Sequence, residues 1–161
     1  MPRGSTVINA VGFNSSLDRT ITRLEKKWMK RNQTLVNTAM KKLIARTPVH
    51  TGQTVRNYIA SNGNPASGGV IAGEAPVERT NSKSLGTERL RGGAEAQALA
   101  TLATVDFSDP YDTFFITNRS PAVGGLEIGA LPKEPFTPRS PAGMFGITLQ
   151  DISAIADRGI F

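Results

Sequence analysis

The sequence predicts an α+β fold: a long N-terminal amphipathic helix, a small mostly antiparallel sheet and a C-terminal helix. Three observations predict it. Apolar residues recur in steps of three, four or seven at Leu17, Ile21, Leu24, Trp28, Leu35, Ala39 and Leu43. Two β-prone runs, residues 54–61 and 113–117, lie in the middle of the chain. A second apolar set, Met144, Ile147, Leu149, Ile152 and Ile155, follows near the C-terminus. Helices at both ends enclosing a few strands are the α+β pattern.

Each element has a local reason. Residues 1–15 are short-sided and read as a flexible arm, leaving one domain over 16–161. Ser16 is the expected N-cap, and Asp18 suits the positive end of a helix dipole. The 3.6-residue stripe then runs to about Arg46, where Pro48 ends it by excluding helical geometry from the residue before it. The alternating run at 54–61 is expected as a strand, and residues 62–69 (NGNPASGG) are turn chemistry throughout. A short return strand is expected at 70–72 and a long connection over 74–92. Residues 94–104 are rich in helix formers, with Ala98, Leu99, Leu102 and Val105 for an inner face. Asp109 and Pro110 break the chain before the second strand. A short helix or turn is expected at 121–128. A proline-rich loop leads to the last helix at 141–157, with Pro141 near its first turn and Gly159 past its end.

Composition narrows the function classes. At 161 residues the chain suits one domain that buries roughly 70% of its unfolded surface. Aromatics are only 6% of it, so the core is thin and neighbours are expected to add stability. With no cysteine and one histidine, His50, no zinc constellation can form. His50 beside Thr51 is also the only His-based pair for nucleophilic catalysis, and a turn position after a helix is its simpler explanation. Asp106, Asp109 and Asp112 read as turn and cap residues rather than a Mg²⁺ site. No cofactor and no enzymatic activity are expected. The first residues lack a signal-peptide pattern, and no apolar run reaches the ~20 residues of a membrane-spanning helix.

Charge is the strongest physicochemical signal. Residues 1–61 hold eleven Lys and Arg but only two acids, Asp18 and Glu25, within a net charge of +6. Arg19, Arg23, Lys26, Lys30 and Lys41 fall within about 60° on a helical wheel, roughly opposite the Leu17–Trp28–Leu35 stripe. Like charges on one face repel, so an anionic neighbour is expected there. The apolar stripe is expected to be committed to the core, which argues against adsorption to a membrane. No tight-turn helix pair precedes a recognition helix, so phosphate contact is open and base reading is not expected.

Several short motifs stand in a fixed order. They are Pro48-Val49-His50-Thr51-Gly52, Val55-Arg56-Asn57-Tyr58, Ile116-Thr117-Asn118, Ser120-Pro121-Ala122, Leu126-Glu127-Ile128-Gly129 and Ser140-Pro141-Ala142-Gly143-Met144. Read as chemistry, Thr51-Gly52 is a tight turn, with Gly52 free to take positive φ. Asn118 and Ser120 can satisfy backbone groups at a strand end. Glu127 is either exposed or, if buried, paired with an arginine.

In this order the motifs resemble the tail-completion, or neck, proteins of tailed bacteriophages, over about residues 17–155. The tyrosine that usually follows the Pro121 position in those proteins is absent here. The resemblance implies a non-enzymatic virion protein that forms a hexameric ring between the head connector and the tail and surrounds the DNA channel. Implied partners are further copies of itself, head-side connector or adaptor proteins, the tail tube or tail terminator protein, and phage DNA in the lumen. It implies residence in the virion neck, and in the host cytoplasm during assembly. It also marks Pro48, Thr51, Gly52, Arg56, Asn118, Pro121, Glu127, Gly129, Pro141, Gly143 and Met144 as motif and interface positions. Two other readings stay open: a tail terminator capping the tube, and a stand-alone basic nucleic-acid-binding protein.

Overall fold

A computed structural model describes residues 10–49, 51–73, 85–131 and 142–159, with backbone alone for 85–90. Within these, the elements run α1 (Ala10–Arg46), α2 (Gln53–Arg56), β1 (Tyr58–Asn62), α3 (Leu85–Ala100), a 3-10 turn (Thr101–Thr104), β2 (Phe114–Asn118), α4 (Val123–Glu127) and α5 (Met144–Asp157). The layout is α+β, as the helix–strand–helix order predicts.

The core gathers around the C-terminal part of α1. Val36, Met40, Leu43 and Ile44 pack with Val55, Tyr58, Ala60, Ala94, Ala98 and Val105. Burying a side chain such as Leu43 or Met40 contributes roughly 1.5–3 kcal/mol. β1 and β2 pair antiparallel, with Tyr58 opposite Asn118 and Asn62 opposite Phe114. Phe107 stacks on Phe114 at 5.0 Å and closes one end of this layer. α5 lies along α1 through polar contacts: Asp151 accepts from Lys42 at 2.8 Å and from Arg46 at 2.6 Å, and Arg46 also donates to Thr148.

Several boundaries differ from the sequence expectation. α1 begins at Ala10, so Ser16 is not its cap; the Ser16 carbonyl instead accepts from the Thr20 hydroxyl inside the helix. Residues 10–15 therefore belong to α1 and not to an arm. Residues 53–56 form one helical turn, because Gly52 takes φ 73° and its carbonyl accepts from Arg56 N–H at 3.0 Å. That turn aims Val55 inward as well as a strand would, so alternation alone could not separate the two. Residues 70–72 make no strand. The Asn57 side chain holds Ile71 there at both its N–H (2.8 Å) and its carbonyl (2.7 Å). α3 starts at Leu85, within the span expected as a connection. Leu149 of α5 is exposed rather than packed.

Candidate functional site

α1 is 37 residues long, about 55 Å at the usual helical rise. Only its C-terminal part is clothed. Its buried residues are Val36, Met40, Leu43 and Ile44. Toward the N-terminus, the side chains tied to other elements are Arg31, bonded to the Ala156 carbonyl at 3.0 Å, and Asn32, bonded to the Pro110 carbonyl at 3.1 Å. Beyond them Trp28 meets Tyr111 edge-on at 5.7 Å. From Ala10 to Leu24, every residue except Thr20 is exposed.

The five predicted cations, Arg19, Arg23, Lys26, Lys30 and Lys41, are all exposed. None makes an ion pair among the described residues. Four of them stand on the unclothed part of α1, while Lys41 continues the row beside the core.

The apolar stripe departs from its expectation. Leu17, Ile21, Leu24 and Trp28 are 47%, 43%, 44% and 41% exposed, and Phe13 is 60% exposed. Leu35 and Ala39 of the same stripe are partly buried and Leu43 is buried. The reason is geometric. The buried set Val36, Met40, Leu43, Ile44 is centred roughly 110–120° around the helix from the Leu17–Trp28 row. The row's own direction is the side on which α5 sits, and α5 reaches only as far as Arg31. Periodicity shows which residues share a face; it does not show how far along that face a partner extends. The stripe from Leu17 to Trp28 thus lies outside the core, contrary to expectation, and gives no ground against adsorption to a membrane.

Tyr58 and Met144 of the motifs, with Thr47 just before the first motif and Arg91 of α3, build the joint that holds α1, the sheet and α5 together. Thr47, fully buried, donates to the Leu43 carbonyl at 2.7 Å and shares a hydrogen bond with the Tyr58 hydroxyl at 2.9 Å. The Met144 sulfur lies 3.4 Å from that hydroxyl. Burial pushes the Tyr58 hydroxyl up to about 12 despite the Thr47 bond. Arg91, 7% exposed, donates to the Ile44 carbonyl at 2.7 Å and the Thr47 carbonyl at 3.2 Å, and pairs with Glu95 at 2.5 Å. It thereby satisfies the Thr47 carbonyl, which the end of α1 leaves open, and adds a second donor to the Ile44 carbonyl, which also accepts from Thr47 N–H at 3.2 Å. Composition gives no signal for Arg91, because it lies in the span expected to be a loop.

Among the described residues Glu127 is neither free nor paired with an arginine. Its carboxylate accepts from Phe145 N–H at 3.0 Å and Gly146 N–H at 3.2 Å, so α4 caps the N-terminus of α5. α5 has no side-chain cap of its own, since its N-cap is Gly143 at φ 86°. Asn118 donates to the Thr54 carbonyl at 2.8 Å and accepts from Ser120 N–H at 2.9 Å, ending β2. Gly129 takes φ 76° after α4. Thr51 and Pro48 are half-buried at the α1–α2 turn, Arg56 is half-buried on α2, and Pro121 is exposed. His50, Pro141 and the three prolines at 132, 135 and 138 lie outside the described residues.

The acidic loop behaves as turn chemistry. Asp106 accepts from Ser108 N–H at 2.8 Å, which holds its carboxyl below the ordinary range. Asp109 accepts from Tyr111 N–H, and Asp112 accepts from Asn62 and Thr113. Asp151 is likewise lowered by its bonds from Lys42 and Arg46. No group of three or more His, Cys, Asp or Glu side chains converges among the described residues. No helix among them is long and apolar enough to cross a membrane. Comparison with protein-family models, curated proteins and solved structures finds no match.

Proposed function

We propose that this chain is a non-enzymatic structural subunit of a tailed-phage neck, of the tail-completion type. Copies assemble into a ring that joins the head connector to the tail and surrounds the DNA channel. The observation that carries the reading is the exposed row Arg19, Arg23, Lys26, Lys30 and Lys41 on a helix that extends past its own core. Such a row is suited to a polyanion or an acidic protein surface, and the order of the six motifs supplies the choice of family. Partners on this reading are the connector or adaptor, the tail tube or terminator protein, and the DNA in the lumen through phosphate contacts. The protein resides in the virion, after assembly in the host cytoplasm.

The test is the triple reversal Arg23→Glu, Lys26→Glu, Lys30→Glu. All three side chains are exposed, so folding is retained while head–tail joining is lost. Normal particles from this variant would overturn the proposal. Binding of the purified protein to free tail tubes rather than to filled heads would make it a tail terminator instead. The same cationic row also supports a stand-alone nucleic-acid binder. That reading requires a monomer or dimer whose affinity for duplex DNA falls with salt at a log–log slope of about −4 to −5 for five phosphate contacts. A ring with negligible affinity for free duplex eliminates it.

A further inference from the structure

The unclothed part of α1 carries a second feature, on the side away from the cations. Asn14, Leu17, Ile21, Leu24 and Trp28 alternate in steps of three and four, the spacing of a helix–helix seam. Trp28 and the three aliphatic residues are 41–47% exposed, and Phe13 widens the strip at 60%. The two edges of the strip differ in charge. Asp18 and Glu25, the only acids of α1, lie along one edge, while Lys27 lies along the other.

We infer that this strip is a self-association seam, occupied by the same segment of a second copy of this chain running parallel to it. Parallel packing sets the acidic edge of one helix beside the basic edge of the next, whereas antiparallel packing sets like charge beside like. Asn14 sits at a seam position where a polar residue meets its own counterpart only in the parallel arrangement, a known device for fixing register. The area is adequate. Five half-exposed large side chains per copy bury roughly 1,000 Å² across a pair, the lower bound for a specific interface.

The other occupants fit less well. An anionic membrane under the strip would face Asp18 and Glu25, and the cation row points about 150–180° away from it. A nucleic acid would be drawn to the cation row and not to this side. α5 already fills the same face from Arg31 to Arg46, so pairing is confined to residues 10–28 and the bodies splay apart beyond it.

This rests on the self-assembly part of the neck reading and adds a two-fold contact between copies, distinct from the head-to-tail contacts that close a ring. The experiment is sedimentation velocity on the full chain, wild type against Leu17→Asp/Leu24→Asp, with circular dichroism to verify folding. Wild type associates, and the variant associates roughly 100-fold more weakly or not at all while remaining folded. A variant that associates like wild type overturns the seam and leaves the ring reading standing. A wild type that stays monomeric to roughly 100 μM overturns both. A monomer that binds phosphatidylglycerol vesicles through Leu17 and Leu24 makes the strip a membrane face, and also overturns the inference. Because the chain has no cysteine, Asn14→Cys reports orientation without disturbing the leucines. It forms a disulfide-linked dimer on mild oxidation, while Arg19→Cys on the cation row does not. An associating protein that fails to cross-link through Asn14→Cys contradicts the parallel arrangement.

Discussion

Replacing Glu127 by alanine removes the external cap of α5 and tests how the C-terminal helix is held. Two backbone donors, Phe145 N–H and Gly146 N–H, lose a charged acceptor at 3.0 and 3.2 Å. An N-cap is worth about 1 kcal/mol, and a carboxylate at the positive end of a helix adds roughly 0.3–1 kcal/mol. Phe145 N–H is partly shielded from water and cannot be fully resolvated, so the sum is about 2 kcal/mol. With a urea m-value of about 2 kcal/mol per molar, the midpoint falls by about 1 M. Glu127→Gln keeps one carbonyl oxygen in place and loses the charge, so it falls by about half as much. Urea unfolding followed by circular dichroism reads both. Midpoints within about 0.2 M of wild type for the alanine variant would show that water caps α5 as well as Glu127 does, and would refute the reasoning.

Arg91→Met leaves the Thr47 carbonyl buried without its donor, leaves the Ile44 carbonyl only its bond from Thr47 N–H at 3.2 Å, and removes the partner of Glu95. It costs about 3 kcal/mol, which a thermal melt reads as a midpoint lower by roughly 6–12 °C. Arg91→Lys recovers little of this, because an ammonium cannot reach two carbonyls with a rigid fork. For Tyr58 the folded-state pKa of about 12 lies above the ordinary 10.0. The neutral hydroxyl is therefore favoured by folding: its contribution is complete below pH 10 and is lost as pH rises toward 12, an effect of about 2–3 kcal/mol. Tyr58→Phe abolishes that alkaline slope while costing only about 1 kcal/mol at neutral pH, as urea titrations at several pH values will show.

Some of this architecture was legible in the residues and some was not. The long helix was readable because its apolar period runs unbroken to Pro48, and β2 because Phe114, Phe115 and Ile116 follow a clear break at Pro110. Its start was not, since Asn14, Ser15 and Ser16 are as good at capping a helix as at lying within one. Residues 53–56 form a helical turn where a strand is expected, because inward Val55 suits both equally. The cation row was legible as a face, and all five members are indeed exposed. The exposed seam was not, because whether a stripe meets its own fold depends on where α5 ends. Glu127, Asn57 and Arg91 act on backbone groups far away in sequence, and no local pattern announces such bonds.

The central claim is that the extended half of α1 is an attachment surface with its cations turned toward a partner. Acetylation of Lys26 and Lys30 by a water-soluble reagent, read by mass spectrometry on the isolated protein and on the intact particle, measures this directly. Ready labelling in the isolated protein and strong protection in the particle are expected. Equal labelling in both would contradict the claim.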